Sequence, residues 1–137
     1  MPDVFTQAKR SEIMRAVSQS DTGPEMAVRR MLHRRGYRFR LHRRDMPGTP
    51  DIVLPKYRAV IFVHGCFWHG HRRCARAALP KSNRRFWELK VAGNKARDRR
   101  VKAALTRSGW RYLVVWQCSL RNAAAVERAL LNFLGGA

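Results

Sequence analysis

The chain has 137 residues and carries 29 Lys and Arg against 9 Asp and Glu, a formal charge of +20. Its length suits one domain with a real core but not two, and a hydrophobic fraction of 45% rules out a disordered chain. Basicity on this scale points to nucleic acid ahead of a membrane-surface or ribosomal role, because each phosphate contact releases condensed counterions.

Ser11 caps a first helix over residues 9–19, with Ile13, Met14 and Val17 at helical spacing. The next segment, Asp21-Thr-Gly-Pro-Glu25, breaks the chain and restarts it: Thr22 and Glu25 form a capping box, and Pro24 falls in the first turn. The second helix places Val28, Met31 and Leu32 on one face and ends at Gly36. Residues 37–42 alternate as a strand with one wet face, and residues 46–50 form a turn. Residues 51–54 and 59–63, joined by a tight connection at 55–58, make an antiparallel hairpin that brings Asp51 beside His64. Residues 75–81 are a basic loop; Ser82 or Asn83 then caps a long helix to about Arg107. Phe86, Leu89, Val101 and Leu105 are its expected packing positions, and Gly93 lowers its propensity. After Gly109, residues 110–116 read as a strand buried on both faces, with Trp110 and Trp116 in the core, and residues 122–134 as an amphipathic helix. The order predicts a layered α/β domain.

No apolar run approaches the roughly 20 residues that cross a bilayer, and the first residues lack the apolar core of a secretion signal, so a cytoplasmic location is expected. Three cysteines in such a setting favour metal over disulfides. Cys66-x4-His71-x2-Cys74, with Cys118 after the last strand, supplies a Cys3His set suited to structural zinc. Spacing leaves His69 open as an alternative to His71, and the plain alternative is that these are ordinary buried cysteines.

Asp51, behind a turn at the head of an apolar strand, is the candidate ligand for a hard cation such as Mg²⁺; its bland role is that of a turn or cap residue. The backbone carbonyl of Val63 stands at the neighbouring strand end, and His69 or His64 is the candidate general base. Phe67-Trp68 and Phe86-Trp87, set among basic residues, are core residues or stacking groups for bases.

Several segments together resemble the very-short-patch mismatch repair endonucleases, the Vsr family. They are Arg10-Ser-x-x-Met14-Arg-Ala, Asp21-Thr-x-x-Glu25, Pro47-Gly-x-Pro50-Asp51 and Val60-Ile-Phe-x-His64-Gly-Cys66-Phe-Trp68-His69. Phe86-Trp87, Asn94-x-x-Arg97-Asp98-Arg99-Arg100 and Gly109-Trp110-Arg-x-Leu-x-Val-Trp116-x-Cys118 continue the likeness across nearly the whole chain.

The resemblance implies a three-layer, restriction-endonuclease-like (PD-(D/E)xK-type) domain with a central mixed sheet and a structural zinc site. It implies Mg²⁺-dependent nicking of duplex DNA 5′ to the thymine of a T:G mismatch left by 5-methylcytosine deamination. Carried over, Asp51 binds Mg²⁺ with the Val63 carbonyl, His69 is the general base, and His64 and Glu25 support it. Cys66, His71, Cys74 and Cys118 hold Zn²⁺. Phe67, Trp68 and Trp87 enter the DNA stack from the major groove and Met14 from the minor groove, while Lys90 and Asn94 read the mismatched pair.

It further implies a monomer with a DNA-contacting helix in residues 1–20 and a catalytic core in 21–134, nucleoid-associated and working with mismatch-repair proteins and a repair polymerase. Two positions depart from the family pattern: Val63 stands where threonine is common, and the spacing through Gly70-His-Arg-Arg-Cys74 is altered. The alternatives are a non-catalytic zinc-stabilised DNA-binding module and a restriction-type nuclease of the same fold.

Overall fold

The computed structural model describes residues 23–135. The expected first helix, with Ser11 and Met14, and the Thr22 half of the capping box lie outside the described residues. Helix α1 spans Gly23–Arg34. It ends in paired bonds from Gly36 N to His33 O (3.0 Å) and from Tyr37 N to Leu32 O (3.1 Å), with Gly36 at φ +81°. This is the left-handed termination that glycine makes cheaply.

Four strands follow: β1 (Arg40–Leu41), β2 (Ile52–Leu54), β3 (Ala59–His64) and β4 (Arg111–Trp116). They form one mixed sheet in the order β1-β2-β3-β4, antiparallel except for the parallel β3–β4 pair. Parallel pairing needs a crossover, which helix α2 (Arg84–Arg107) provides. Helix α3 (Ala123–Gly135) closes the fold, its first turn capped by Asn122 Oδ1 accepting from Ala125 N at 3.2 Å.

The sheet separates two cores because successive side chains of a strand point to opposite faces. Ala59 and Ile61 of β3 join Ile52 and Leu54 against Val28, Met31 and Leu32 of α1 and Val126, Leu130 and Leu134 of α3. Val53, Val60 and Phe62 pack the other way, with Met46, onto Leu105 and Val101 of α2. The layers are therefore α1/α3, sheet, α2. No described helix is long and apolar enough to cross a membrane.

Four expectations fail in instructive ways. The strand expected at 37–42 pairs only over Arg40–Leu41 and is exposed, since His42 turns into the left-handed region at φ +48°. Strand β4 is not buried on both faces; only Val115 is buried, because the strand lies at the sheet edge with one neighbour. Phe86 and Leu89 are 50% and 58% exposed rather than packed. The inward face of α2 instead runs through Trp87, Val91, Asn94, Asp98, Val101 and Leu105, a spacing of three and four residues. Asn83 occupies the N-cap position of α2 but makes no side-chain capping bond.

Gly93 interrupts α2 at a cost of about 1 kcal/mol relative to alanine. Two other glycines press loops onto this helix. A Cβ on Gly48 (φ +74°) would stand 2.6 Å from Val101 Cγ1, and one on Gly70 (φ +59°) 2.7 Å from Val91 Cγ1. Both loops of the site are thereby registered against α2.

Candidate active site and metal cluster

Strand β2 begins pairing at Ile52↔Ile61, so Val63 of β3 lies beyond its reach. Asp51, the residue before β2, fills the gap: its Oδ2 accepts the Val63 N–H at 2.7 Å. The N–H and C=O of one strand residue point to the same edge, so the Val63 carbonyl also faces the Asp51 side. Glu25, 2% exposed, reaches in from α1, ion-paired with Arg29 one turn on and 3.0 Å from His42 Nε2. Ligand atoms of Glu25, His42 and Asp51 lie within 4.8 Å of one another. Burial pushes the Asp51 carboxyl up to about 6 and Glu25 adds to the rise, against the Val63 N–H that draws it down.

Across the same cavity, of about 320 Å³, lie His64, His69 and Asp98. His69 Nδ1 is 2.7 Å from Asp98 Oδ2, and the ring lies flat on His64 with centroids 3.7 Å apart and planes 3° from parallel. Burial raises the Asp98 carboxyl, but its hydrogen bond and charge contact with His69 outweigh this and hold it below the usual value. Burial and the neighbouring His69 push His64 down to about 3, so this ring is neutral throughout the working range.

A stability consequence follows with a definite sign. Between pH 6.5 and 3 the unfolded chain protonates His64 while the folded chain does not, so its contribution is full above 6.5 and is lost as pH falls. Replacing His64 with Phe should reduce the loss of stability between pH 7 and 5 by about 2 kcal/mol, read by urea unfolding at both pH values. Other acid-sensitive groups are common to both proteins and cancel in that difference.

Cys66, His71, Cys74 and Cys118 present four ligand atoms within 4.8 Å of one another and could hold a metal ion. The turn after Gly65 builds this set, with His71 N bonded to Cys66 O at 2.9 Å. Cys118 Sγ lies 3.4 Å from His71 Nδ1, and Cys118 N 3.4 Å from Cys66 Sγ. The turn thus separates the two histidines that spacing left open: His71 joins the cysteines and His69 joins Asp98. Burial raises the Cys66 thiol to about 11. Trp116, paired with His64 across β3 and β4, stands between the clusters, face-on to His71 (4.1 Å) and edge-on to His64 (5.2 Å).

Beside the cavity, Phe67, Trp68 and Trp87 pack edge to face with centroids 5.3–5.8 Å apart. Trp87 is 6% exposed, Phe67 and Trp68 are half-buried, and Phe86 extends the cluster towards solvent. Asn94 Nδ2 donates to Trp68 O at 2.8 Å, whereas Lys90 is exposed. Asp98, His42 and Arg29 had no assigned role at the site from sequence, and Trp116, expected in the core, is instead half-buried between the two clusters. The helical phase of α2 carries the signal for Asp98, since it shares a face with Trp87, Asn94 and Val101.

Carboxylates facing a His–Asp pair across an open cavity, on a strongly basic α/β domain, are the groups that metal-assisted hydrolysis of a phosphodiester calls for. The family profile described as DNA mismatch endonuclease Vsr matches residues 2–76. The chain is 44% identical over 121 residues to the DNA mismatch endonuclease Vsr of Escherichia coli (strain K12), covering 88% of this chain and 77% of that protein. It is 53% identical over 134 residues to the type II nicking enzyme V.XorIIP of Xanthomonas oryzae pv. oryzae, covering 98% of both. Identity to the type II nicking enzyme V.NmeAIP of Neisseria meningitidis is 43% over 134 residues, 98% of this chain and 94% of that one. The chain belongs to the Vsr family of DNA mismatch endonucleases.

Proposed function

We propose that this protein is a mismatch-specific nicking enzyme. It hydrolyses one strand of duplex DNA 5′ to the thymine of a T:G pair and so starts short-patch repair. The observation that carries this reading is the cavity that gathers Asp51, the Val63 strand end and the His69–Asp98 pair beside an aromatic cluster. Three layers with Pro50-Asp51 at the head of β2 support a restriction-endonuclease-like fold for the catalytic core.

The donor chemistry fits a hard cation. Asp51 keeps one oxygen uncommitted to Val63, the Val63 carbonyl faces the same side, and the raised Asp51 pKa marks a carboxyl short of positive charge. Asp51 and the Val63 carbonyl would hold a magnesium ion, which would supply charge neutralisation at the scissile phosphate and ease deprotonation of the attacking water. Valine at position 63 retains the carbonyl, so the departure from threonine leaves this ligand intact.

The chain's own residues handle the proton. With the Asp98 carboxylate accepting from His69 Nδ1–H, Nε2 is left as the basic atom that can take a proton from water. The flat contact with neutral His64 fixes the plane of that ring. Glu25, held by Arg29 and His42, orders the approach to Asp51. His69→Gln should lower the nicking rate by about 10²–10⁴-fold with DNA affinity unchanged, measured in single-turnover assays against binding titrations.

Cys66, His71, Cys74 and Cys118 fit a structural zinc, which takes tetrahedral sulfur and nitrogen ligands and favours the thiolate of a buried cysteine. Phe67 and Trp68, backed by Trp87, are the unit that enters the DNA stack, while Lys90 and Asn94 read the mismatched pair. Unstacking costs a few kcal/mol per step, and a wobble pair lowers that cost.

The test is to incubate the protein and Mg²⁺ with a duplex bearing one T:G pair, beside its matched control. A single nick confined to the mismatch supports the reading. Cutting of both duplexes indicates a restriction-type nuclease, and no cutting indicates a DNA-binding module.

A further inference from the structure

Gly93 is out of place by the ordinary rules of helices. It lies within the 24 residues of α2, far from either end, where glycine weakens a helix through its backbone freedom. Gly48 and Gly70, in the loops packed on this helix, are explained by close contact with Val101 and Val91. A Cβ on Gly93, by contrast, would meet nothing within 4 Å among the described residues. No packing in the described fold uses the bare backbone there, which leaves it open to a body that docks on this face of the helix.

The surroundings say what that body is. Leu89, Lys90 and Arg97, one turn to either side of Gly93, are all exposed, and Phe86 continues the same stripe towards the start of the helix. The adjacent Asn94, with Arg97, lines the catalytic cavity. The stripe therefore leads from a solvent-facing aromatic ring, past two basic side chains, into the site, and it contains no carboxylate. Such a surface suits a polyanion with apolar groove walls, and a bare backbone at its centre lets a helix sit deeper in the groove.

We propose that Gly93 is a specificity-determining position, the point at which the backbone of α2 contacts DNA beside the mismatch. This rests on the mismatch-nicking reading above, and the two are separable by experiment. Gly93→Ala and Gly93→Leu are compared with wild type for melting temperature, for nicking of T:G and matched duplexes, and for duplex binding by fluorescence anisotropy.

The alanine variant should melt about 3 °C higher, because it restores helix propensity. It should nonetheless lose about 10-fold in kcat/KM on the T:G duplex, and the leucine variant about 100-fold, as the helix is lifted from its seat. Wild-type nicking in both variants overturns the proposal. So does a lower melting temperature for Gly93→Ala, which would assign the glycine to the fold. If wild type fails to discriminate T:G, the earlier reading falls while anisotropy still decides this one: weakened duplex binding in the leucine variant supports the contact, and unchanged binding overturns it.

Discussion

Asp51→Asn should abolish nicking while leaving the protein folded and DNA-bound. The neutral amide is nearly isosteric and its oxygen can still accept the Val63 N–H, so the end of β3 keeps its partner. What is lost is the anionic group proposed to hold the cation. A bound metal contributes several kcal/mol of charge stabilisation, and each 1.36 kcal/mol is tenfold in rate, so the loss is about 10³-fold or more. The electrostatics make a second, less obvious forecast. Asp51 has its pKa raised to about 6, so its protonated form is favoured by folding. That contribution is full below the ordinary carboxyl value near 4 and is lost as pH rises through 6. At pH 8 without metal, ionised Asp51 lies close to Glu25 and opposes folding. Asp51→Asn should therefore melt above wild type at pH 8 when Mg²⁺ is simply omitted, while Mg²⁺ should raise the melting temperature of wild type alone. Nicking by wild type should fall as pH drops through 6 and recover with more Mg²⁺, since proton and cation compete for one carboxyl. An active Asp51→Asn protein would remove this residue from the metal centre.

The hairpin that builds this centre is written plainly in the chain. Two short apolar runs flank a Pro-led connection, and antiparallel pairing then forces residue 51 and the 63–64 end together. The cysteine cluster is equally legible, because three of its four members fall within one loop and the fourth follows a strong apolar run. The choice between His69 and His71 is not, since it depends on the turn after Gly65, in which His71 N returns to Cys66 O. The His69–Asp98 pair is less legible still. It joins a loop to a helix and depends on which face of α2 points inward, and Phe86 and Leu89 suggest a phase that the structure does not adopt. Hydrophobicity misleads there because the helix spends its inward face on chemistry. Asn94 and Asp98 occupy positions that a packing helix would give to leucine, and the displaced apolar residues face water. Strand β4 misleads for a related reason: parallel pairing to β3 demands an apolar strand, but the sheet ends there and leaves much of it half-exposed.

Removing the zinc that the Cys66, His71, Cys74 and Cys118 cluster is proposed to hold should have the second large effect, and it should be local before it is global. Between Gly65 and Ser82 the only buried residue is Cys66, and regular structure is limited to a single 3-10 turn at Ala75–Ala77. So little apolar burial cannot offset the roughly 1–2 kcal/mol per residue of backbone entropy lost on ordering a loop. A structural zinc can, since apparent binding free energies reach about 10–16 kcal/mol in small zinc folds. The sheet and its two cores do not include this loop. Cys118→Ala, or a strong chelator, should therefore release about one zinc per chain and expose Arg72, Arg73, Arg76 and Lys81 to trypsin while circular dichroism of the core changes little. Nicking should fall together with zinc content, because the same loop carries His69 to Asp98 and Trp68 to Asn94. Magnesium should not rescue it, since the lost element is the base and the wedge rather than the Asp51 ligand. Zinc-free protein that resists trypsin and nicks normally would show that the loop is held by packing alone.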